Sequence, residues 1–385
     1  MVGERGFEPP TPWSRTRCST RLSHSPISVE GSRHTERPGS VLDRRASYPP
    51  ECTKFGDPPV TLHTELDFFA SSSSLRVLDG GMATELERRG CDISGPLWSA
   101  AVLESAPQAI AAVHLDYLRA GADCISTASY QVSAHGYREI GRSAGDANRA
   151  LRLSVELAEQ ARADYARENP RRAWIAASLG PFGAALHNGA EYHGRYSIAF
   201  DDLVAFHAER LANLADCGAD CIALETIPSL EEDHAVLLAL AQTPSLTAWI
   251  SFTCRDARHV AHGETLAECA AAVASSPQIA AIGINCTAPH LIADLIAQAQ
   301  TGAAEAQRGT ERGSGPAKPV LVYPNSGETW DAAARSWHGE ADPAHFGALA
   351  RAWFAAGAQA VGGCCRTGPA HICAVAAARD AANSG

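Results

Sequence analysis

Short apolar runs alternate with amphipathic stretches from residue 75 to the end of the chain. Eight such runs occur, at 76–79, 122–129, 173–180, 219–226, 246–253, 280–286, 319–325 and 358–364. Runs that are apolar at nearly every position are typical of parallel strands buried on both faces. The stretches between them, such as 109–123 and 203–220, have helical spacing of their apolar residues. The pattern predicts eight parallel strands alternating with helices.

Eight strand–helix units over residues 75–385 match an α/β fold of the (β/α)8 TIM-barrel type. A glycine precedes three of the strands, at Gly121, Gly218 and Gly357, where a helix is expected to end. A doubly wound sheet usually has fewer strands. The chain has no GxGxxG motif, and neither Lys54 nor Lys318 follows a glycine, which excludes a P-loop. We therefore predict a single catalytic barrel domain.

Residues 1–74 differ from the rest of the chain. They are rich in Pro, Ser and Arg and show no sustained apolar period. A segment of this composition cannot bury enough apolar surface to offset its ordering entropy. We expect a disordered N-terminal extension without a catalytic role, either a presequence or the product of a mis-started gene model.

The composition of the chain argues against a membrane-spanning protein and against a nucleic-acid-binding protein. With 45% hydrophobic and 19% charged residues, the chain is typical of a soluble globular protein, and no apolar run is long enough to cross a bilayer. A net charge of −11 argues against a nucleic-acid partner. The twelve cysteines are scattered, and no convincing signal peptide is present. These features predict a cytoplasmic protein, in which clustered cysteines bind metal more often than they pair.

Three cysteines follow strands: Cys286 ends the sixth, and Cys364 and Cys365 end the eighth. Adjacent cysteines do not easily form a disulfide, because their Cα atoms are only about 3.8 Å apart. They can serve one centre only if the backbone leaves strand geometry, a turn that Gly362 and Gly363 would allow. Because the active site of a barrel lies at the C-terminal ends of its strands, we expect the three thiols at one rim.

Three thiolates are a ligand set that suits Zn²⁺ with one coordination position left open, as in a catalytic zinc site. Two other interpretations remain: a strained redox pair at Cys364 and Cys365, or three ordinary buried cysteines. Two carboxylates also end strands, Asp79 the first and Glu225 the fourth. They are candidate site residues, or else they cap the next helix or pair with an arginine.

The stretches "LDGGMATELERRG", "GINC" and "GGCC" resemble the homocysteine S-methyltransferase family. The similarity covers nearly all of residues 76–378, including "HNGAEYHGRY" and "YPNSGETWD", and is greatest to the branch that uses S-methylmethionine or S-adenosylmethionine. The resemblance implies Zn²⁺ bound by Cys286, Cys364 and Cys365, with the sulfur of homocysteine as fourth ligand. It also implies methyl transfer from a sulfonium donor to this sulfur, giving methionine.

The resemblance also suggests how the small-molecule substrates bind. Asp79 and Glu225 would hold the amino group of homocysteine, and Asn325 and Ser326 would donate hydrogen bonds to a carboxylate from a loop over the barrel mouth. An aromatic face would favour a sulfonium donor; the candidates, each of which could equally be a core residue, are Trp98, Tyr130, Phe182 and Tyr323.

Alternative functions keep the same barrel. They are a selenocysteine acceptor, a betaine donor, or a non-catalytic barrel that binds zinc or thiols. The sequence predicts neither the preferred donor nor whether the protein is a monomer or a homo-oligomer.

Overall fold

The computed structural model describes residues 68–69, 75–95, 97, 99–308, 317–331, 336–338 and 341–384. Apart from Phe68 and Phe69, the predicted N-terminal extension lies outside these residues. The division of the chain at residue 75 therefore stays a prediction.

All eight predicted strands are present and form one parallel sheet. In chain order they are β1 (Arg76–Val77), β2 (Cys124–Ser126), β3 (Trp174–Leu179), β4 (Cys221–Ile227), β5 (Ala248–Phe252), β6 (Ile279–Asn285), β7 (Val320–Tyr323) and, after a two-stranded hairpin of β8 (Thr329–Asp331) and β9 (Ser336–His338), β10 (Ala358–Val361). Their spatial order is β1-β10-β7-β6-β5-β4-β3-β2. A parallel bridge between Leu78 and Cys124 closes the ring from β1 to β2. The predicted (β/α)8 barrel is confirmed.

Helices cover the outside of the barrel. They are α1 (Met82–Arg88), α2 (Ser99–Ser105), α3 (Pro107–Arg119), α4 (Ala134–Glu139), α5 (Ala144–Glu168), α6 (Phe182–Ala185), α7 (Phe200–Leu214), α8 (Leu230–Ala241), α9 (Leu266–Ala274), α10 (Ile292–Arg308), α11 (Pro343–Ala355) and α12 (Pro369–Asn383). Capping boxes begin α5 at Ser143 and α9 at Thr265, where side chains satisfy free backbone N–H groups. Among the described residues no helix is both long and apolar enough to cross a membrane.

Two of the three glycines expected at helix ends have left-handed backbone. Gly121 and Gly357 have φ of +108° and +104°, which an L side chain rarely adopts. Gly218 does not. The atoms nearest to a Cβ at Gly218 belong to the mobile carboxylate end of the Glu159 side chain, so neither φ nor fixed packing explains this glycine.

Side chains on alternate strand positions fall into two separate apolar clusters, as the period of a strand requires. The outer cluster packs the strands against the helices and includes Val77, Ile175 and Ile222. The inner cluster fills the barrel. Its members are Phe68, Leu78, Cys124, Trp174, Ala176, Cys221, Ala223, Trp249, Ala281, Leu321, Tyr323 and Ala360. This dense interior leaves the C-terminal end of the barrel as the place for a site.

Phe68 belongs to the inner cluster although it precedes the predicted barrel boundary. Its ring is 1% exposed and lies edge-on to Trp174, with 5.2 Å between centroids. Arg76 donates from Nε to the Phe68 carbonyl oxygen at 3.0 Å. Because Arg76 and Trp174 begin their strands, Phe68 covers the N-terminal end of the barrel, opposite the strand ends that carry the candidate chemistry.

Candidate active site

A cavity opens at the C-terminal ends of the strands. It is lined by the three predicted thiols, Cys286, Cys364 and Cys365, and by both predicted carboxylates, Asp79 and Glu225. The structure thus brings together five of the seven predicted site residues from four different strand ends. Asn325 and Ser326 are not among the residues that line this cavity.

The three thiols form one compact cluster. The Sγ atoms of Cys286 and Cys365 are 3.8 Å apart, and those of Cys364 and Cys365 are 3.9 Å apart. All three Sγ atoms lie within 4.8 Å of one another, a spacing that could hold a metal ion. No other group of three potential metal ligands was found in the part of the chain that the structure describes.

The adjacent cysteines share one centre because the backbone turns after β10. The amide of Thr367 donates to the carbonyl oxygen of Cys364 at 3.2 Å, which closes a four-residue turn. Arg366, the third residue of the turn, has a φ of +67°. The prediction that the chain leaves strand geometry here is confirmed.

Gly362 and Gly363 act differently from the prediction, since neither has a positive φ. A Cβ at Gly362 would lie 2.6 Å from the Cβ of Leu78, and one at Gly363 would lie 2.6 Å from the Cβ of Thr367. Real Cβ atoms do not approach this closely. The two glycines therefore allow the end of β10 to pass close to β1 and to pack against its own turn, rather than supplying an unusual φ.

Strained backbone is concentrated beside the thiols. Four described residues other than glycine have a positive φ, and three of them are Thr226 (+64°), Cys286 (+49°) and Arg366 (+67°). Asn285 holds Thr226 by two hydrogen bonds of 2.8 Å, one to its amide and one to its hydroxyl. Such conformations persist where surrounding contacts enforce them, and they cluster at functional sites.

Asn325 and Ser326 lie against the backbone of Cys365. The Asn325 side-chain oxygen accepts from the Cys365 amide at 3.2 Å, and the Ser326 amide donates to the Cys365 carbonyl at 3.0 Å. These contacts orient a thiol. The predicted role of the two residues in binding substrate stays a prediction.

Asp79 is 6% exposed and accepts a 2.7 Å hydrogen bond from the Ser126 amide. Burial raises the pKa of Asp79 to about 8; the Ser126 amide opposes this shift, and the nearby Glu225 adds to it. The side chain caps no helix and has no arginine partner among the described residues. An approaching cation would favour its charged form.

Glu225 is 9% exposed and accepts from the hydroxyl of Ser178. Burial raises the pKa of Glu225 to about 7, against the opposing hydrogen bonds from Ser178 and Tyr323. The indole of Trp249 donates to the Tyr323 hydroxyl at 3.2 Å. A ring of polar groups inside the barrel therefore fixes the position of this carboxyl group.

Two residues that the sequence reasoning missed lie beside the thiols. The hydroxyl of Tyr192 is 3.4 Å from the Sγ of Cys286, while the residue as a whole is 46% exposed and lines the cavity. The preceding Glu191 is 5% exposed, its Oε2 has no hydrogen-bond partner among the described residues, and burial raises its pKa to about 7. Both lie in "HNGAEYHGRY", residues 187–196, one of the stretches that resemble the family. That resemblance was the only feature of the sequence that could have indicated them.

The aromatic candidates divide into two groups. Tyr130 and Tyr323 line the cavity. Phe182 instead packs edge-on against Tyr196 and Phe206, at centroid distances of 5.4 and 5.1 Å. Trp98 lies outside the described residues.

Comparison with known proteins agrees with this geometry. The homocysteine S-methyltransferase family model matches residues 76–379. A homocysteine S-methyltransferase of Bacillus subtilis is 44% identical over 308 residues, covering 79% of this chain and 94% of its own. A selenocysteine Se-methyltransferase of Brassica oleracea is 38% identical, covering 82% and 92%.

A solved structure shows the same likeness. The metallated form of a homocysteine methyltransferase from Escherichia coli is 40% identical, with a TM-score of 0.66 over 79% of this chain and 96% of that chain. The predicted methyltransferase class is thus confirmed. The chain belongs to the homocysteine S-methyltransferase family.

Proposed function

We propose that the protein transfers a methyl group from a sulfonium donor, S-methylmethionine or S-adenosylmethionine, to the thiol of L-homocysteine, with Zn²⁺ held by Cys286, Cys364 and Cys365. The products are methionine, the demethylated donor and the proton lost by the homocysteine thiol. The observation that carries the proposal is the cluster of three thiols at the end of the barrel, beside buried carboxyl groups in one cavity.

The spacing of the sulfur atoms fits zinc. Zinc–thiolate bonds are about 2.3 Å long, so two ligands at neighbouring corners of a tetrahedron are about 3.8 Å apart. Two of the three Sγ–Sγ distances, 3.8 and 3.9 Å, match this value, and the third is no more than 4.8 Å. Three protein ligands leave a position for the substrate sulfur. When bound, zinc favours the thiolate form of a coordinating thiol near neutral pH.

The buried acids suit the amino group of homocysteine. Asp79 and Glu225, which both line the cavity, would bind the ammonium through their carboxylates. Because burial raises the pKa of both, a cation that enters the cavity lowers these pKa values and gains charge-assisted hydrogen bonds. This arrangement would orient the substrate sulfur toward the thiol cluster.

The donor would approach from the open side of the cavity. The substrate thiolate attacks the methyl carbon in line, the bond from that carbon to the donor sulfur breaks, and its electron pair leaves with a neutral thioether. No general acid is needed for this leaving group. The remaining contribution of the protein is to position both substrates and to exclude water, for which Tyr130 and Tyr323 supply aromatic walls.

A methyl-transfer assay tests the reaction. Homocysteine is offered with S-methylmethionine, S-adenosylmethionine or betaine, before and after chelation and after zinc is restored. We expect methionine formation with a sulfonium donor, its loss on chelation and its return with zinc. Activity that survives complete metal removal, or that requires betaine, would contradict the proposal.

The role of Asp79 has its own test. Replacing it with asparagine keeps an acceptor for the Ser126 amide but removes the charge that would bind the ammonium group. We expect Asp79→Asn to raise KM for homocysteine about tenfold or more while zinc is retained. The control is Asp92→Asn, an exposed carboxylate bonded to Ser94. An unchanged KM in Asp79→Asn would return this residue to a purely structural role.

Selenocysteine is the second candidate acceptor, favoured by the 38% identity to a selenocysteine Se-methyltransferase. Selenium and sulfur place nearly the same demands on the cavity. Competition between the two acceptors in the same assay gives the ratio of their kcat/KM values, and a ratio above one for selenocysteine would make it the preferred substrate.

We also propose that the protein works in the cytoplasm on small molecules alone. All ten cysteines that the structure describes are free thiols, as suits a reducing compartment. Fractionation of the cells that express the protein tests its location.

A further inference from the structure

A buried carboxylate outside the cavity holds both ends of the loop that carries Tyr192. Glu232 lies in the first turn of α8 and is 0% exposed. One carboxylate oxygen accepts from the amide of Phe182 at 2.6 Å and from Nε2 of His207 at 2.9 Å. Its other oxygen accepts from the hydroxyl of Tyr196. Three donors from the neighbouring unit, which runs from β3 to α7, thus converge on one side chain.

A neutral His207 links the carboxylate of Glu232 to the guanidinium group of Arg210. An arginine side chain can only donate, so Nδ1 of His207 must accept the 2.9 Å hydrogen bond from Arg210 Nη2. The imidazole proton is then on Nε2, where it donates to Glu232. Burial lowers the pKa of His207, which agrees with a neutral ring. Arg210 also donates to the Gly180 carbonyl at 2.9 Å, so the network reaches the end of β3.

The loop between β3 and α7 is held at two points by this network. Phe182 is near its beginning and Tyr196 near its end. Between them, α6 packs directly on the turn that carries Tyr192: a Cβ at Gly183 would lie 2.5 Å from the amide nitrogen of Glu191. A displacement of either anchor would therefore move the Tyr192 hydroxyl away from Cys286, its neighbour at 3.4 Å.

We propose that Glu232 is a positioning residue that holds the Tyr192 loop in place and thereby keeps the Tyr192 hydroxyl beside the thiol cluster. The inference concerns the site of the proposed function and rests on it. Glu232 itself touches neither thiols nor cavity; it acts through Phe182, Tyr196 and the packed turn between them.

The first test uses Glu232→Gln in the full-length, metal-free protein. Glutamine keeps one acceptor oxygen for Phe182 and His207, but its amide group only donates, so Tyr196 loses a charged acceptor and stays bonded only if its hydrogen bond reverses direction. We expect hydrogen exchange of residues 182–199 to accelerate about tenfold or more, with exchange in the barrel strands unchanged. The matched control is Glu231→Gln, the neighbouring residue, which is exposed and should exchange as the original protein does.

The second test is a double-mutant cycle on the zinc-loaded enzyme. If Glu232 acts through Tyr192, then Glu232→Gln and Tyr192→Phe each lower kcat/KM, and adding Glu232→Gln to Tyr192→Phe lowers it little further. A residue needed only for folding would instead lower the activity by the same factor in both backgrounds.

The outcomes separate the two claims. Faster exchange confined to the loop, together with a cycle that is not additive, supports the positioning role. Exchange that is unchanged or faster throughout the barrel, a full-activity Tyr192→Phe, or factors that multiply would overturn it. Should Glu232→Gln not fold, Tyr196→Phe removes one anchor from a partly exposed position and is judged by the same criteria. An inactive original protein would contradict the proposed function, while the exchange experiment would still decide the role of Glu232.

Discussion

Individual carboxyl groups of the cavity respond to pH in a way that is set by burial. The pKa of Asp79 is raised to about 8 and that of Glu225 to about 7. An acid with a higher pKa in the folded state binds more protons folded than unfolded, so stability falls as pH rises between the two pKa values. With unfolded values near 4, this window runs from about pH 4 to pH 7 or 8.

Asp79→Asn should remove its part of this pH dependence. Near pH 5 the folded protein keeps Asp79 protonated, and the variant loses little. Near pH 8 ionisation of the buried Asp79 carboxyl group destabilises the original protein, whereas the variant has no charge at this position. We therefore expect the Tm of the variant, relative to that of the metal-free original protein, to rise from pH 5 to pH 8.

Thermal unfolding at several pH values in the absence of homocysteine checks this expectation. Asp92→Asn is the control, because hydrogen bonds from Ser94 lower the pKa of this exposed acid. Its Tm difference should be constant over the same range. A constant difference for Asp79→Asn as well would show that burial does not govern this group.

The sequence predicted the residues at strand ends from their pattern, named Asn325 and Ser326 only through the family resemblance, and missed Tyr192 and Glu191. Cys286 and Cys365 follow apolar runs, and a barrel brings all its strand ends to one face. Tyr192 and Glu191 come from a polar loop without periodicity, so only the fold places them beside Cys286. Asn325 was named as a candidate, but its contact with the Cys365 backbone is one that no pattern of residue types indicates.

At the scale of elements, the end of β10 is where packing and chemistry meet. The turn from Cys364 to Thr367 carries two of the three thiols, and Gly363 lies directly against it. The sequence predicted the need for a glycine but attributed it to backbone freedom. Contact distances show that the reason is space, which only the neighbouring element can reveal.

Gly363→Ala should therefore disturb the metal site without unfolding the barrel. The added methyl group overlaps Thr367, and overpacking of this kind costs about 1–3 kcal/mol. We expect a lower Tm and weaker zinc retention during dialysis against a chelator. Gly95→Ala is the control, because nothing lies within 4 Å of a Cβ at that position and its φ is not positive. Zinc retention equal to that of the control would contradict the packing argument.

The strands of the barrel were predicted well because each is a continuous apolar run whose side chains are buried on both faces of the sheet. β3 and β4 are buried at every position. The hairpin of β8 and β9 was not predicted. Each strand has three residues with a central tryptophan, too few for this alternation to distinguish a strand in the sequence. Only the antiparallel pairing reveals the hairpin.

For the whole molecule, the two ends of the barrel have different tasks. The C-terminal end holds the cavity, and the N-terminal end is covered by Phe68, which packs on Trp174 within the inner cluster. This residue lies before the boundary predicted from composition. A single buried aromatic ring in a polar segment changes the average hydropathy too little to be noticed in the sequence.

Phe68→Ala should destabilise the barrel while leaving the active site intact. Loss of a buried phenylalanine costs about 3–5 kcal/mol, so the midpoint of denaturant unfolding should fall with little change in KM for homocysteine. Phe69→Ala removes a neighbouring ring that is only partly buried and serves as the control. Equal, small effects of the two substitutions would show that Phe68 does not contribute to the core.

The most direct test of a zinc site at Cys286, Cys364 and Cys365 is the zinc content of the purified protein and of four serine variants. We expect one zinc per chain in the original protein and in Cys373→Ser, which alters an exposed thiol on α12. Cys286→Ser, Cys364→Ser and Cys365→Ser should each lose zinc and methyl transfer while circular dichroism shows a folded barrel. Unchanged zinc content in all three variants would contradict the assignment of the metal to this cluster.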